Sequence, residues 1–98
     1  MLITNKIVLT EFSRKHADTV KPLNKWIETI EDSVLTNHNE LKALFPSVDY
    51  VGNSRYVFNL KGNNYRLVVL VIFFGGFVEI RFTGTHAEYD KIKDIENI

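Results

Sequence analysis

The sequence predicts an α+β fold in which N-terminal helices pack on one face of a small antiparallel β-sheet and a short helix follows near the C-terminus. Two observations support this prediction. Apolar residues recur at helical spacing up to residue 45, whereas from Val48 onward they alternate with polar residues at the two-residue period of a strand. The length supports one core but not two, so residues 1–98 are predicted to form a single domain.

The N-terminal half is predicted to contain a short strand and three helices. Residues 1–4 are expected to form the strand, after which Thr4 or Asn5 is placed to cap a weakly amphipathic helix over 5–16. A short third helix is expected over 39–45, ended by the proline that follows. The second helix is predicted by one apolar stripe whose members are three or four residues apart: Val20, Leu23, Ile27, Ile30 and Val34.

Two glycine turns predict two hairpins and fix which residues share a face of the sheet. Gly62-Asn63 is typical of a two-residue hairpin loop, and Gly75-Gly76 predicts a second loop of the same kind. Directly paired residues lie on the same face, and a one-residue slip would move a whole strand to the other face. The expected pairs are Arg55 with Leu70, Val57 with Val68, Asn59 with Arg66, Leu70 with Arg81, Val68 with Thr83, and Arg66 with Thr85.

In that register the sheet has one apolar face, which we expect the helices to cover, and one polar face. The apolar face is predicted to contain Tyr56, Phe58, Leu60, Tyr65, Leu67, Val69, Val71, Phe73, Val78, Ile80 and Phe82. The polar face is predicted to contain Arg55, Asn59, Lys61, Asn64, Arg66, Glu79, Arg81, Thr83 and Thr85, around a floor of Val57, Val68, Leu70 and Ile72.

Composition restricts the functions open to this chain. Without cysteine it has no disulfide, thiol nucleophile or cysteine-ligated metal site. Twelve Lys and Arg balance twelve Asp and Glu, so no global field indicates a nucleic-acid partner, yet residues 51–87 carry four basic residues and one acid. The N-terminus does not resemble a signal peptide, and the apolar run 67–74 is too short to span a membrane. We therefore expect a cytoplasmic protein with a locally basic surface.

Cations on the predicted polar face are candidates for holding a phosphodiester: Lys61, Arg66 and Arg81. Such groups bind phosphate and stabilise the charge that develops on it during cleavage. Asn59 and Asn64 are placed to donate hydrogen bonds to the same ligand. The alternative is that the cations are solvated residues on an exposed sheet face, and that the asparagines satisfy backbone groups near the turn.

The residues after the last strand are candidates for proton transfer. Thr85 followed by Glu88 has the spacing of a capping box, so a helix is predicted to begin there with His86 and Tyr89 on one face. Imidazoles titrate near neutral pH and suit general acid–base catalysis, while a tyrosine ring can stack on a base or orient a phosphate. The alternative is a surface histidine beside a cap and a tyrosine that anchors the helix.

Other kinds of active site are excluded by missing motifs. The chain has no phosphate-binding glycine loop, no HExxH, no GxSxG and no histidine cluster at metal spacing. Glu79 is the only acid among the cations, which argues against glycosidase and two-metal nuclease chemistry, since both need paired carboxylates. A nuclease built on this face is predicted to use no cofactor or metal and to take the 2′-hydroxyl of RNA as its nucleophile.

Four stretches of the sequence carry a family resemblance: Leu41–Asp49, Tyr56–Val68 with its phrase FNLKGNNYRLV, Ile80–Phe82, and Thr85–Asp90 with its phrase THAEYD. Together they resemble the HigB-type toxins of the RelE-like superfamily, the toxic components of type II toxin–antitoxin systems. The resemblance covers nearly the whole chain. It implies a RelE-like fold and an mRNA interferase, an endoribonuclease that cleaves translated mRNA at the ribosome and inhibits growth.

The resemblance also implies partners and residue roles. The expected partners are mRNA, the ribosome and a HigA-type antitoxin, with no membrane partner and no DNA binding except through an antitoxin complex. The residues expected around the scissile phosphate or in proton transfer are Lys61, Arg66, Arg81, His86 and Tyr89. The residues expected to contact RNA are Arg55, Asn59, Asn64 and Thr85.

Two other interpretations fit the same residues. A non-catalytic RNA- or protein-binding module would use the basic face without needing His86 or Tyr89. An interaction protein would instead dock a partner through an exposed edge strand or through the C-terminal segment, which alternates charge with isoleucine. We expect Lys91 to Ile98 to be frayed or to order only on a partner.

Overall fold

The computed structural model describes Met1 to Ile98 and confirms the α+β architecture. Its elements in chain order are β1 (Leu2–Thr4), α1 (Ile7–Lys15), a 3₁₀ turn (Ala17–Thr19), α2 (Val20–Glu31), α3 (His38–Leu44), β2 (Asp49–Gly52), β3 (Arg55–Leu60), β4 (Tyr65–Ile72), β5 (Phe77–Thr85), α4 (His86–Asp90) and a second 3₁₀ turn (Ile95–Asn97). The five strands form one sheet of order β1-β5-β4-β3-β2, antiparallel except that β1 runs parallel to β5. None of the helices is long and apolar enough to cross a membrane.

The core lies between the N-terminal helices and one face of the sheet. Helix α2 contributes the buried Leu23, Trp26 and Ile30, and the indole of Trp26 meets the ring of Phe58 edge-on with centroids 5.4 Å apart. Burying an aliphatic side chain such as that of Leu23 or Ile30 stabilises the fold by about 1.5–3 kcal/mol. The helices therefore cover the predicted apolar face along β3, β4 and the first half of β5.

The boundaries of two N-terminal elements differ from the prediction. Neither Thr4 nor Asn5 caps α1; Asn5 has a left-handed backbone (φ 66°) and its amide donates to the Ile80 carbonyl at 3.1 Å, tying the chain to β5. Helix α2 ends before Val34, because the Ser33 hydroxyl bonds back to the last turn, and Val34 is 86% exposed. The apolar stripe continues past the helix that it predicts.

The β3–β4 hairpin has the predicted register. Lys61 and Gly62 both have left-handed backbones, with φ of 52° and 65°, and the Asn64 N–H donates to the Lys61 carbonyl at 3.3 Å. Glycine adopts the left-handed backbone at position 62 without steric cost, which explains why Gly62 correctly predicts the turn. The pairs are Arg55 with Leu70, Val57 with Val68, and Asn59 with Arg66.

The β4–β5 hairpin contradicts the predicted register. Its turn centres on Phe74-Gly75 rather than Gly75-Gly76, because the Gly76 N–H closes the turn on the Phe73 carbonyl at 3.2 Å. Gly76, with φ 71°, occupies the closing position. The register is therefore displaced by two residues near the turn, so that Leu70 pairs with Glu79 and not with Arg81.

A β-bulge at Arg81 then changes which side chains at the end of β5 lie on each face of the sheet. Pairing shifts by one residue between the pair Val69–Ile80 and the pair Val68–Phe82. A bulge places two residues opposite one, so the alternation of side chains reverses beyond it. Phe82 consequently joins the predicted polar face, whereas Thr83 and Thr85, predicted to lie there, pair with Leu67 and Tyr65 of the helix-covered face.

The C-terminal segment also departs from the prediction. Instead of fraying, residues 94–98 form a 3₁₀ turn that packs against β2 and β3. The Asn53 amide donates to the Glu96 carbonyl at 3.1 Å and to the Asn97 side chain at 3.2 Å. The segment is thereby fixed on the polar face of the sheet.

Candidate active site

The guanidinium of Arg66 lies at one end of the polar face and is held by its own hairpin. Its Nη1 donates to the Asn63 carbonyl at 3.1 Å and its Nη2 donates to the Asn63 side-chain oxygen at 3.0 Å. Arg66 is only 9% exposed. A cation this buried is not an ordinary solvated residue, and a fork held at two points is fixed in direction before any ligand arrives. Arg66 is therefore not a solvated residue of an exposed sheet face.

Helix α4 is placed beside Arg66 by the predicted capping box, which the structure confirms. The Glu88 N–H donates to the Thr85 hydroxyl at 3.1 Å, and the Thr85 N–H donates to the Glu88 carboxylate at 2.8 Å. The hydrogen bonds that the Glu88 carboxylate receives from the Thr85 backbone N–H and side chain lower its pKa. The His86 N–H donates to the Asn64 carbonyl at 3.0 Å, which joins α4 to the β3–β4 turn. Because the Thr85 hydroxyl serves as the cap, its place in the site is to start the helix.

His86 is oriented by an acid that the sequence reasoning missed. The Nδ1 atom of His86 lies 2.9 Å from Asp90 Oδ2, and the imidazole remains 43% exposed. A carboxylate on one ring nitrogen fixes the ring and leaves Nε2 to meet a substrate, as in other base–orienter pairs. The four-residue spacing from His86 to Asp90 on a helix was the signal that would have found this pair.

Tyr89 packs against Arg66 from the same helix. The Arg66 guanidinium carbon lies 5.7 Å from the centre of the Tyr89 ring, which is a cation–π contact. Burial raises the pKa of Tyr89, with Asp49 and Asp90 adding to the rise and Arg66 opposing it. The phenol therefore keeps its proton at neutral pH. It can donate a hydrogen bond or a proton, but it is not a base.

Asp49 is a second acid that the sequence reasoning missed. It pairs with Val57 across β2 and β3, which places it on the same face as Arg66, and its charge contributes to the raised pKa of Tyr89. Asp49 precedes residues 51–87, for which the sequence predicts four cations and one acid, so the face is less basic than predicted. Strand pairing, rather than position in the chain, brings this carboxylate to the site.

Arg55 and Arg81 lie toward the other end of the face and share a different partner. The backbone oxygen of Ile98 accepts from Arg55 Nε at 3.2 Å, from Arg55 Nη2 at 2.9 Å and from Arg81 Nε at 2.9 Å. Arg81 also forms an ion pair with Glu79 at 3.1 Å. Arg66 and Arg81, predicted around one phosphate, therefore have no partner in common.

The remaining predicted residues make no side-chain hydrogen bond with Arg66. Lys61 is exposed in the turn and makes no ion pair, so its ammonium is available to a ligand. Asn59 lies directly opposite Arg66 in the hairpin and is exposed. Asn64 is also exposed, and its carbonyl is used by α4. No three His, Cys, Asp or Glu side chains come together as a metal site.

Known proteins that are similar to this chain belong to one family of toxins. Residues 19–92 match the family model HigB toxin, described as the RelE-like toxic component of a toxin–antitoxin system. The mRNA interferase HigB of Escherichia coli O6:H1 is 28% identical over 94 residues, covering 94% of this chain and 91% of that protein. The mRNA interferase toxin HigB of Escherichia coli K12 is 37% identical over 92 residues, covering 91% and 86%. The mRNA interferase HigB of Shigella flexneri gives the same figures.

Proposed function

This chain belongs to the HigB family of RelE-like toxins, and we propose that it is an mRNA interferase that cleaves translated mRNA at the ribosome and thereby arrests growth. The relatives' names supply the substrate class, since all three are called mRNA interferases. The observation that carries the proposal is the buried, pre-oriented guanidinium of Arg66, which lies 5.7 Å from the Tyr89 ring of the helix that also holds the His86–Asp90 pair. This arrangement offers a phosphate a fixed cation and, from one short helix, an imidazole and a phenol.

Binding begins with a phosphate of the RNA against Arg66. Its Nη1 and Nη2 donate to Asn63 and Tyr65, and the N–H groups that these bonds leave free can donate to the phosphate. Lys61 adds a second positive charge from the turn, and the exposed amides of Asn59 and Asn64 donate to sugar or base. Since the chain is neutral overall, attraction to RNA comes from this local surface rather than from a long-range field.

The proposed reaction includes two proton transfers, one from the RNA to the protein and one from the protein to the RNA. His86 Nε2 takes the proton of the 2′-hydroxyl, the 2′-oxygen bonds to phosphorus, and the bond from phosphorus to the 5′-oxygen breaks. The leaving oxygen receives a proton from the Tyr89 hydroxyl, which is protonated at neutral pH because burial raises its pKa. The products are a 2′,3′-cyclic phosphate and a 5′-hydroxyl; His86 then releases its added proton to water and Tyr89 regains one from water.

Arg66 stabilises the transition state, in which the phosphate carries extra negative charge. A preorganised donor in a partly buried site is typically worth about 10²–10³ in rate. No step calls for a metal or an organic cofactor. The location that this proposal requires is the cytoplasm, where a HigA-type antitoxin would neutralise the toxin and supply any DNA binding of the complex.

Inducible expression in a bacterial host tests the proposal, with growth and mRNA 5′-ends recorded together. We expect the wild type to arrest growth and to create new internal mRNA ends, and His86→Gln to do neither. Arg14→Gln is the matched control, since Arg14 is an exposed cation on α1. Equal arrest by wild type and His86→Gln, without new ends, would indicate a non-catalytic binding module instead.

A further inference from the structure

Two guanidiniums converge on a single oxygen atom at the end of the polar face. Arg55 comes from β3 and Arg81 from β5, with β4 between them, yet both reach the backbone oxygen of Ile98 at 2.9–3.2 Å. Each guanidinium has five N–H donors in a planar fork, and the fork matches the spaced oxygens of a phosphate or carboxylate. The Ile98 oxygen accepts three of these hydrogen bonds, the Asn53 carbonyl accepts one from Arg55 Nη1 at 3.0 Å, and Glu79 accepts one from Arg81 Nη1 at 3.1 Å, so about half of the donor set has no protein partner.

The oxygen that occupies this site belongs to the C-terminal segment, which packs against β2 and β3. Residues 94–98 are held by the Asn53 amide and by their own turn, in which the Asn97 amide donates to the Asp94 carboxylate at 3.0 Å. The segment covers two cations of the polar face, Arg55 and Arg81.

The two cation sites lie at different places along the strands. Arg55 pairs with Leu70, which is four residues beyond Arg66 on β4, so at about 3.3 Å per residue Arg55 is about 13 Å from Arg66 along the strand. Arg81 lies at the bulge opposite Val68 and Val69, and the Ile98 oxygen joins it to Arg55. A strand of RNA held at Arg66 and continuing along the strands in this direction would bring a further phosphate to Arg55 and Arg81.

We propose that Arg55 and Arg81 form a second phosphate site for the RNA strand, away from the scissile phosphate, and that residues 94–98 occupy it until RNA displaces them. The identity of the ligand as RNA rests on the proposed function; the competition between segment and phosphate does not rest on catalysis. The segment therefore lowers the affinity of this chain for RNA and limits the number of phosphates that it contacts.

A binding experiment with an uncleavable 2′-O-methyl RNA strand tests this inference. Fluorescence anisotropy at several salt concentrations gives Kd and its salt dependence for the wild type and for a chain truncated after Lys93. We expect the truncated chain to bind roughly three- to tenfold more tightly at low salt and its salt slope to steepen by about 0.7 for each phosphate gained. Adding Arg55→Gln to the truncated chain should remove the gain, whereas adding Arg14→Gln should leave it.

A second variant releases the segment without shortening the chain. Asn53→Gly removes the amide that holds Glu96 and Asn97, and glycine accepts the left-handed backbone at this position (φ 51°). We expect it to tighten binding in the same direction as truncation. Thermal unfolding of each variant confirms that the fold is intact.

The outcomes separate this inference from the proposed function. Unchanged Kd and salt slope in both released chains would overturn the second phosphate site, as would a gain that survives Arg55→Gln. Cleavage of an ordinary RNA strand is measured in parallel. If the released chains bind more tightly but no chain cleaves RNA, the site stands and the nuclease does not.

Discussion

The two arginine sites on the polar face differ in what holds them. Arg66 is buried, and all its hydrogen bonds are to Asn63 and Tyr65 of the β3–β4 hairpin, so its direction is set mainly within that hairpin. Arg81 lies at a bulge, is exposed, and takes its direction from Glu79 and from the backbone of Ile98, which is distant in sequence. One site is built into the hairpin, whereas the other is held by Glu79 and by the C-terminal segment.

This difference assigns the two arginines different roles. A cation that is fixed before the substrate binds can stabilise a transition state without reorganising, which is where most electrostatic catalysis comes from. A cation that must first exchange its partner is better suited to binding. We therefore place the scissile phosphate at Arg66 and a flanking phosphate at Arg81.

The largest effect is expected for Arg66. Arg66→Lys keeps the charge but cannot hold both oxygens of Asn63 or offer a planar fork to phosphate. We expect the rate of RNA cleavage to fall by about 10²–10³. Single-turnover cleavage with saturating protein measures this directly, with far-ultraviolet circular dichroism to confirm folding. A loss smaller than that of Arg81→Lys would reverse the assignment of the two sites.

A smaller loss is expected when the orienting acid is removed. Asp90→Asn leaves His86 in place but replaces the carboxylate at its Nδ1, so we expect cleavage to fall by roughly 10- to 100-fold, within the range of positioned acid–base catalysis. The loss should appear in the rate at saturation while binding of 2′-O-methyl RNA stays constant. A loss confined to binding would place Asp90 outside the catalytic step.

For Arg81 we expect a loss of binding rather than of chemistry. Arg81→Gln should weaken binding of the uncleavable strand by roughly tenfold or less and change the saturated rate little, because its charge acts on a flanking phosphate. The rate of cleavage at saturation separates the two sites most clearly, because we expect Arg66→Lys to lower it strongly and Arg81→Gln to change it little. A fall of about 10² in the saturated rate of Arg81→Gln would contradict this division.

The smallest effect concerns the cap that starts α4. Thr85→Ala removes the hydroxyl that accepts from the Glu88 N–H and should cost about 1 kcal/mol of stability. The pKa of Glu88 is lower in the fold than its ordinary value of 4.5, so the unfolded chain binds the proton more tightly. This contribution is present above pH 4.5 and is lost as the pH falls below it. Urea unfolding at pH 7 and pH 4 should show a smaller acid loss for Glu88→Gln than for wild type.

Much of the fold follows from local sequence signals, and the site does so in part. Gly62 marks a left-handed turn position, so the register around Arg66 was predictable. In the second hairpin two adjacent glycines allowed two turn positions, and the bulge at Arg81 has no signal of its own in the sequence. The prediction therefore placed Thr83 and Thr85 on the wrong face.

Long-range contacts account for what the sequence left out. Asp49 reaches the site through β2 pairing, and Ile98 reaches Arg55 and Arg81 across the sheet. Neither contact is encoded by a spacing that can be read along the chain. The orienting acid Asp90 is different, because its distance of four residues from His86 is a helical contact that the capping box at Thr85 makes predictable.

The most direct test of the central claim is the chemistry of the RNA ends. A synthetic mRNA is translated in a bacterial extract with wild type or Arg66→Lys protein, beside a matched strand that carries a single 2′-deoxynucleotide at the mapped cleavage position. We predict a 2′,3′-cyclic phosphate and a 5′-hydroxyl with wild type, much slower cleavage with Arg66→Lys, and no cleavage at the deoxynucleotide. Equal cleavage of the deoxy-substituted strand, or products with a 5′-phosphate, would contradict attack by the 2′-hydroxyl at this site.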